Sequence, residues 1–352
     1  MSWRVAVIGS GQWARVHLAA LSNSPLVSGV VLAGRNPASL QRLAAEFAIV
    51  QRTTTTLSEV WDDDGVAVVD IVLPHHLHAQ TALAALEAGK HVVCEKPGAT
   101  KIEDLDRAVA AAESHGRRLL IVMNQLYDPV NHQIRQLVDE GELGRVFLVV
   151  ETGFSRHDQF YRDPHTWRTR REQAGGGVLI DGGYHMIYKH LYWLGGLGRP
   201  QWVIADAAQL AVDPQGKTIA EQGEDFVCFT VGYDGPLRIA SSHAWTLAAD
   251  PARAHQNFLA GTEATLDVSG DEQPVLQLRR PGQREVVQPL GAAMTRTQRM
   301  EACLLDYVDA LYHDRPPQYG SYEISHQTLQ IILAVYESAR TGQRVELLPR
   351  RV

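Results

Sequence analysis

Short, unbroken apolar runs alternate with stretches of helical period through the first third of the chain. Val5-Ala6-Val7-Ile8 precedes Val16, Leu18, Ala19, Ala20 and Leu21 at helical spacing. Gly29-Val30-Val31-Leu32-Ala33 precedes a helix opened by Pro37 that runs through Leu40, Leu43, Ala44 and Phe47. A polar stretch, Thr53 to Thr56, gives way to the apolar run Val66 to Leu73 and to a helix over Gln80 to Ala88. His91-Val92-Val93-Cys94, an amphipathic helix from Lys101 to His115, and Leu119-Leu120-Ile121-Val122 complete the series. Runs this short and this apolar are strands covered on both faces, and strands that alternate with helices pair in parallel.

Beyond Val122 the pattern changes. Pro129 starts a helix (Ile134, Leu137, Val138) that stops at Gly141-Glu142-Leu143-Gly144. Strand candidates then follow in a row: Val146 to Thr152, Gln201 to Val212, Asp225 to Tyr233, Leu237 to Ala244, Gln256 to Ala260, Ala264 to Val268 and Val275 to Leu278. Such a run predicts a mostly antiparallel sheet. It is interrupted by the segment Gly175 to Tyr188 and closed by two helices, over Gln298 to Tyr312 and Glu323 to Thr341.

Length agrees with two domains, since 352 residues exceed what one ordinary core supports. The composition, 45% hydrophobic and 21% charged, is that of a soluble globular protein. A net charge of -7 argues against a nucleic-acid partner, which a basic field would attract. No apolar run approaches the roughly 20 residues that span a bilayer, so no membrane partner is expected. Met1-Ser2-Trp3-Arg4 leads straight into a strand and leaves no room for a signal peptide. Cys94, Cys228 and Cys303 are odd in number and far apart, which fits neither a disulfide framework nor a zinc site and suits a reducing cytoplasm.

The first strand feeds Gly9-Ser10-Gly11-Gln12-Trp13-Ala14, a G-x-G-x-x-A turn between strand and helix. Gly9 permits the tight turn, Gly11 lets the backbone approach a pyrophosphate, and Ala14 lets helix and strand pack closely. Residues 1–123 are therefore expected to form a Rossmann dinucleotide-binding domain, and residues 124–352 an α+β domain with an open, mostly antiparallel sheet. A fold that prefers NAD places an acid about twenty residues past the glycine turn, on the ribose hydroxyls. This chain has Gly34-Arg35-Asn36 there. Loss of the carboxylate relieves repulsion of a 2′-phosphate and a guanidinium can grip it, so NADP(H) is expected over NAD(H), with a plain surface arginine as the alternative.

His91-Val92-Val93-Cys94-Glu95-Lys96-Pro97-Gly98 ends a buried strand on an acid, an amine and a proline. Pro97 keeps Lys96 out of the helical region, so the charged pair stands at a strand tip, where open α/β sheets bind ligands. Leu73, Pro74 and His75 follow the preceding strand and Asn124 follows Val122, all candidates to touch a cofactor; His78 is a further candidate, with capping or packing of the following helix as its alternative. The imidazoles of His75, His76 and His78 lack a nearby cysteine or second carboxylate, so no metal site is expected. In the interrupting segment, Asp181 and His185 are four residues apart and share a helix face if the helix begins near Asp181. An imidazole suits a proton acceptor near neutral pH. The alternative makes Asp181 a helix cap and His185 a packed core residue.

Gly9-x-Gly11-x-x-Ala14, Glu95-Lys96-Pro97, Trp167-Arg168, the triple glycine before Asp181-x-x-x-His185, and Glu337-Ser338-Ala339-Arg340-Thr341-Gly342 occur in an order that resembles the glucose–fructose oxidoreductase, inositol dehydrogenase and rhizopine-catabolism (Gfo/Idh/MocA) family. The resemblance runs over nearly the whole chain. It implies a nicotinamide held between the two domains and a sheet that often builds a homodimer or homotetramer. It further implies that Lys96 and His185 face the reacting carbinol of a sugar, cyclitol or sugar derivative, with Asp181 as a third catalytic group. Trp167 and Arg168 would line the cofactor or substrate, and Tyr184, His243 and Trp245 would stack on or hydrogen-bond a sugar, although each suits a core equally. Two positions depart from the family pattern: Tyr188 stands where many members have an acid, and His75 where an asparagine is frequent. The alternative chemistry on this scaffold is glycoside cleavage or elimination through transient oxidation by a tightly held, recycled NAD(H); a dinucleotide-binding sensor is the non-catalytic alternative.

Overall fold

A computed structural model describes residues 2–157, 166–212, 222–246, 254–268, 276–287 and 293–348. In chain order the elements begin β1 (Trp3–Ile8), α1 (Gln12–Ser22), β2 (Val27–Ala33), α2 (Pro37–Glu46), β3 (Val50–Thr54), α3 (Ser58–Trp61), β4 (Val66–Ile71), α4 (His78–Glu87), β5 (His91–Cys94), α5 (Ile102–Ser114) and β6 (Leu119–Ile121). They continue with α6 (Pro129–Asp139), β7 (Val146–Phe154), α7 (Arg171–Ala174), α8 (Tyr184–Trp193), β8 (Pro200–Ala208), β9 (Phe226–Tyr233) and β10 (Arg238–Ala244). The last are β11 (His255–Gly261), β12 (Thr265–Asp267), β13 (Leu276–Arg280), β14 (Gln283–Val287), α9 (Arg296–Tyr312), α10 (Tyr322–Thr341) and β15 (Val345–Glu346). The chain divides into two compact units, Met1–Tyr127 with Thr295–His326, and Asp128–Met294 with Gln327–Val352. Among the described residues no helix is long and apolar enough to cross a membrane.

The first unit holds a six-stranded sheet in the order β3-β2-β1-β4-β5-β6, parallel at every pairing. Its register sets Ala33, Ile8, Ile71, Cys94 and Ile121 in one row across five strands. The residues that follow each of them therefore emerge along one edge of the sheet, and the strand order reverses there between β1 and β4. Both faces of the strands are covered, and Val5, Ala6, Val31, Val69 and Val92 are fully buried. The edge strand β3 escapes the periodicity argument because it is polar and pairs on one side only, with β2.

The expected division at residue 123 differs in one element: α9 groups with the first unit, although it follows the strands of the second in sequence. Its buried Met300, Cys303, Leu304, Tyr307, Val308 and Leu311 share a core with Val5, Leu18, Leu21 and Leu32. Helical period shows that a face is buried but not what covers it.

The second unit holds a nine-stranded sheet, β14-β13-β12-β11-β7-β10-β9-β8-β15. Only β7 and β10 run parallel; the remaining pairs are antiparallel. β10 alternates buried and half-buried positions, as expected where one face of a sheet is packed. β8 stops at Ala208, short of the expected Val212, because the amides of Leu210 and Ala211 turn to the carboxylate of Asp225 and leave the ladder. Val275, the start of another expected strand, lies outside the described residues, and β13 begins at Leu276. The short strands β14 and β15 carry no apolar alternation and were not foreseen.

Candidate active site

The first group of site residues stands on the sheet edge of the first unit. Gly9 has φ 136°, and a Cβ there would overlap the carbonyl oxygen of Val72. Only glycine suits that crossing. At Gly11, which precedes α1, a Cβ would meet nothing within 4 Å, so the absent side chain leaves open space at the helix start. No side chain caps α1 and no acid lies in its first turn, so its leading amides are available to an anion. Gln12 is exposed, Trp13 is half-buried with the Arg296 guanidinium 5.8 Å from its ring centre, and Ala14 is fully buried. At the end of β2, Gly34 gives way to an exposed Arg35, and Asn36 Oδ1 caps α2 by accepting the Ser39 amide at 3.1 Å. These features fit a dinucleotide phosphate.

The tips of β4 and β5 are tied together. His78 is fully buried, with Nδ1 2.7 Å from the Pro97 carbonyl and Nε2 2.7 Å from the Leu73 carbonyl. Each ring nitrogen thus faces a backbone carbonyl, and His78 braces the two tips against each other. Burial lowers the pKa of its ring. His75 is buried beside it, with ring centres 5.7 Å apart. The Lys96–Pro97 peptide is cis, and Lys96 is half-buried. Asn124 is buried, with no partner for its Oδ1 among the described residues, an oxygen left to an incoming donor.

A buried charge cluster behind these tips was not anticipated. His17 on α1 lies between two carboxylates, with Nδ1 2.8 Å from Asp70 Oδ2 and Nε2 3.1 Å from Glu95 Oε1. Burial alone would lower the ring's pKa, but Asp70 and Glu95 outweigh it and raise it to about 10. Burial would likewise raise the Glu95 carboxyl, and His17 holds it below its ordinary value. The signal in the sequence is Asp70, a charge inside an otherwise apolar strand, which requires a buried partner.

The second group stands on the segment before α8. Three consecutive amides there converge on one residue. Gly177 donates to Glu224 Oε2 at 2.8 Å, Val178 to the Glu224 carbonyl at 2.9 Å, and Leu179 to Glu224 Oε1 at 3.0 Å. A Cβ on Gly176 would overlap the Tyr336 hydroxyl, and one on Gly177 the Glu224 carbonyl, which explains two of the three glycines. Burial pushes the Glu224 carboxyl up to about 7, against the amides and the Tyr336 hydroxyl that favour its charged form. From this seat the chain makes a π turn, Leu179–Gly183, before α8.

Asp181 therefore lies inside a π turn that runs directly into the helix carrying His185, and does not cap it. Its carboxylate is 3.4 Å from Arg168 Nε, and the Arg168 guanidinium sits 4.7 Å from the Trp167 ring centre, so these three side chains meet. His185 is half-buried, with Nδ1 2.9 Å from the hydroxyl of the fully buried Tyr188. The position that departs from the family pattern thus touches the proposed base.

Tyr184, His243 and Trp245, which suit a sugar site or a core equally in the sequence, are all buried. Tyr184 meets Tyr188 edge-on at 5.9 Å. His243 Nε2 lies 3.0 Å from Glu151 and 3.0 Å from Ser241, its ring stacked on Phe229. The Trp245 amide donates to the Asp225 carbonyl at 2.9 Å. A histidine and a tryptophan in a strand read alike whether they face a core or a ligand. Among the described residues no group of three or more His, Cys, Asp or Glu is placed to hold a metal ion.

Residues 3–123 match the model of an oxidoreductase family with an NAD-binding Rossmann fold, and residues 131–270 match the GFO/IDH/MocA C-terminal domain. Levoglucosan dehydrogenase of Pseudarthrobacter phenanthrenivorans is 30% identical over 199 residues, 54% of this chain and 51% of that protein. Inositol 2-dehydrogenase of Salmonella typhimurium is 32% identical over 157 residues, 42% of this chain and 45% of that protein. The chain thus spans about half the length of these two relatives. D-glucoside 3-dehydrogenase of Escherichia coli is 30% identical over 373 residues, 98% of this chain and 97% of that protein. A solved levoglucosan dehydrogenase in complex with NADH superposes with a TM-score of 0.86 at 21% identity, over 99% of this chain and 100% of that one. An aldose–aldose oxidoreductase from Caulobacter crescentus complexed with glycerol gives 0.82 at 24%, with 99% and 100% covered. At these identities the likeness to the solved structures is one of fold.

Proposed function

The chain belongs to the Gfo/Idh/MocA oxidoreductase family, and from that premise we propose that it is an NADP(H)-dependent dehydrogenase of a secondary alcohol on a sugar, cyclitol or sugar derivative. The observation that carries the reading is the turn Gly9 to Ala14, whose open space and uncapped amides suit a dinucleotide pyrophosphate. The names of the relatives, dehydrogenases of a glucoside, levoglucosan and inositol, support the substrate class. When bound, the nicotinamide supplies the hydride acceptor or donor.

Gly9, Gly11, Gln12, Trp13 and Ala14 would hold the pyrophosphate; Leu73, Pro74, His75, Glu95, Pro97, Asn124, Trp167 and Arg168 would line the rest of the cofactor. Arg35, exposed after Gly34 where an acid would favour NAD, supports a grip on a 2′-phosphate. Lys96 hydrogen-bonds the carbinol oxygen and offsets the negative charge that develops on it. His185 takes the hydroxyl proton. Its Nδ1 lies against the Tyr188 hydroxyl, and in the tautomer that carries the proton on Nδ1 the ring's lone pair is on Nε2. Asp181 adds a carboxylate that favours the protonated ring. The open sheet, on which Phe147 and Ile204 are exposed, supports a homodimer or homotetramer, which light scattering would read.

The test is a panel of sugars, cyclitols and polyols offered with each dinucleotide and followed by nicotinamide absorbance. Turnover of a secondary alcohol with NADP+ is the expected result. Co-purified dinucleotide with no net reduction on any substrate would sink the reading.

A further inference from the structure

Behind Lys96 stands a chain of contacts that reaches back through the first unit. Asp70 on β4 and His17 on α1 are fully buried, and the Glu95 side chain at the tip of β5 is nearly so. Glu95 divides its two oxygens: Oε1 lies 3.1 Å from His17 Nε2, and Oε2 accepts the backbone amide of Lys96 at 3.1 Å. On the other side of Lys96, the Pro97 carbonyl lies 2.7 Å from His78 Nδ1. Side chains thus hold the peptide group that leads into Lys96 and, one residue further on, the Pro97 carbonyl.

We propose that His17 is a positioning residue for Lys96: clamped between Asp70 and Glu95, it turns the Glu95 carboxylate so that the Lys96 peptide is fixed. This deepens the role given to Lys96 above and rests on that reading for its catalytic meaning. A tie between α1, β4 and β5 alone would not require charge. Leu18 and Leu21 already bury α1, and apolar residues of similar size at positions 17 and 70 would join the elements without desolvating three ionised groups. What the charged trio adds is direction. A ring with both nitrogens donating fixes one oxygen of Glu95 and leaves the other aimed at the Lys96 amide. Lys96 itself and His78 also act on Glu95, and neither substitutes for His17, since both stand on the tips being held.

The experiment reads the geometry without turnover. The chain has five lysines, so 15N-lysine labelling gives few amide signals, and Lys96→Arg assigns that of Lys96. In the full-length protein the Lys96 amide should be protected from solvent exchange, and His17 should hold a proton on both nitrogens at about pH 8. His17→Gln and the milder Asp70→Asn should each speed Lys96 exchange by about tenfold or more, with the Lys189 amide unchanged. On a substrate found by the panel, both should lower kcat by roughly 10- to 100-fold, with dinucleotide KM within about twofold. An unprotected Lys96 amide or a neutral His17 in the wild type overturns the proposal, even if neither variant folds. So does a folded variant whose Lys96 amide exchanges as before. If the amide loosens but Lys96→Met keeps normal turnover, positioning stands and the catalytic reading of Lys96 falls.

Discussion

The hydroxyl of Tyr188 lies 2.9 Å from Nδ1 of His185, three residues back along the same helix. The tyrosine is fully buried, so the contact is sheltered from water and orients the imidazole. Tyr188→Phe keeps the ring and removes only the oxygen. It should cost about 1 kcal/mol of stability and lower kcat about three- to tenfold, with cofactor binding unchanged. Thermal melts and steady-state kinetics check this; full turnover in the variant would show that the contact does not serve His185.

Lys96→Met and His185→Ala should each lower turnover by two or more orders of magnitude while dinucleotide binding, followed by tryptophan quenching, largely survives. The loss in His185→Ala should be greatest near neutral pH, where an imidazole base contributes most. Near-normal kcat in either variant removes that residue from the mechanism.

Two glycines separate folding from binding. A Cβ on Gly177 would overlap the Glu224 carbonyl, so Gly177→Ala should destabilise by about 3 kcal/mol or more. A Cβ on Gly11 meets nothing and its φ of -83° suits any residue, so Gly11→Ala should melt within a degree or two of wild type, a shift below about 0.5 kcal/mol. Its added methyl fills the space proposed for the pyrophosphate, and dinucleotide affinity should fall by about tenfold or more. Equal affinity in that variant would place the cofactor elsewhere.

Arg35→Ala should raise KM for NADP+ about tenfold and leave NAD+ nearly unaffected, the loss of one charged grip on a phosphate. Equal KM values for the two cofactors in wild type, unchanged in the variant, would refute the NADP preference.

The His17 cluster also predicts a pH dependence. Its folded pKa of about 10 is raised above the ordinary 6.5. The stability it contributes is therefore complete below about pH 6.5 and is lost as pH rises through about 10. The gap between wild-type and His17→Gln melting temperatures should narrow across that window. Glu224, raised from 4.5 to about 7, acts lower on the scale, its contribution fading as pH rises from 4.5 through about 7, and it is common to both proteins. A gap constant from pH 6 to 10 would mean that His17 is neutral in the folded protein.

The parallel sheet was legible, apart from the polar edge strand β3, because its other strands are short apolar runs, most of them ended by glycine or proline within a few residues. The glycine turn and Lys96 were legible for the same reason: they stand where those runs stop. Side-chain direction was not. In the sequence Tyr184, His243 and Trp245 suit a sugar site or a core equally, and only the tertiary structure shows all three buried, Tyr184 edge-on to Tyr188 and His243 stacked on Phe229. Spacing of four between Asp181 and His185 points to a regular helix, whereas Asp181 lies in a π turn whose first residue, Leu179, donates to the distant Glu224. His17 and Glu95 are 78 residues apart, and no local pattern joins them.

The Glu224 clasp bears on any attempt to re-engineer this protein. Residues 209–225 connect β8 to β9, and any exchange of that connection meets Glu224 near its end. A graft that shifts Glu224 by a single residue would unseat the stretch leading to His185. Swaps there should keep Gly223-Glu224-Asp225 intact and draw their diversity from upstream of it.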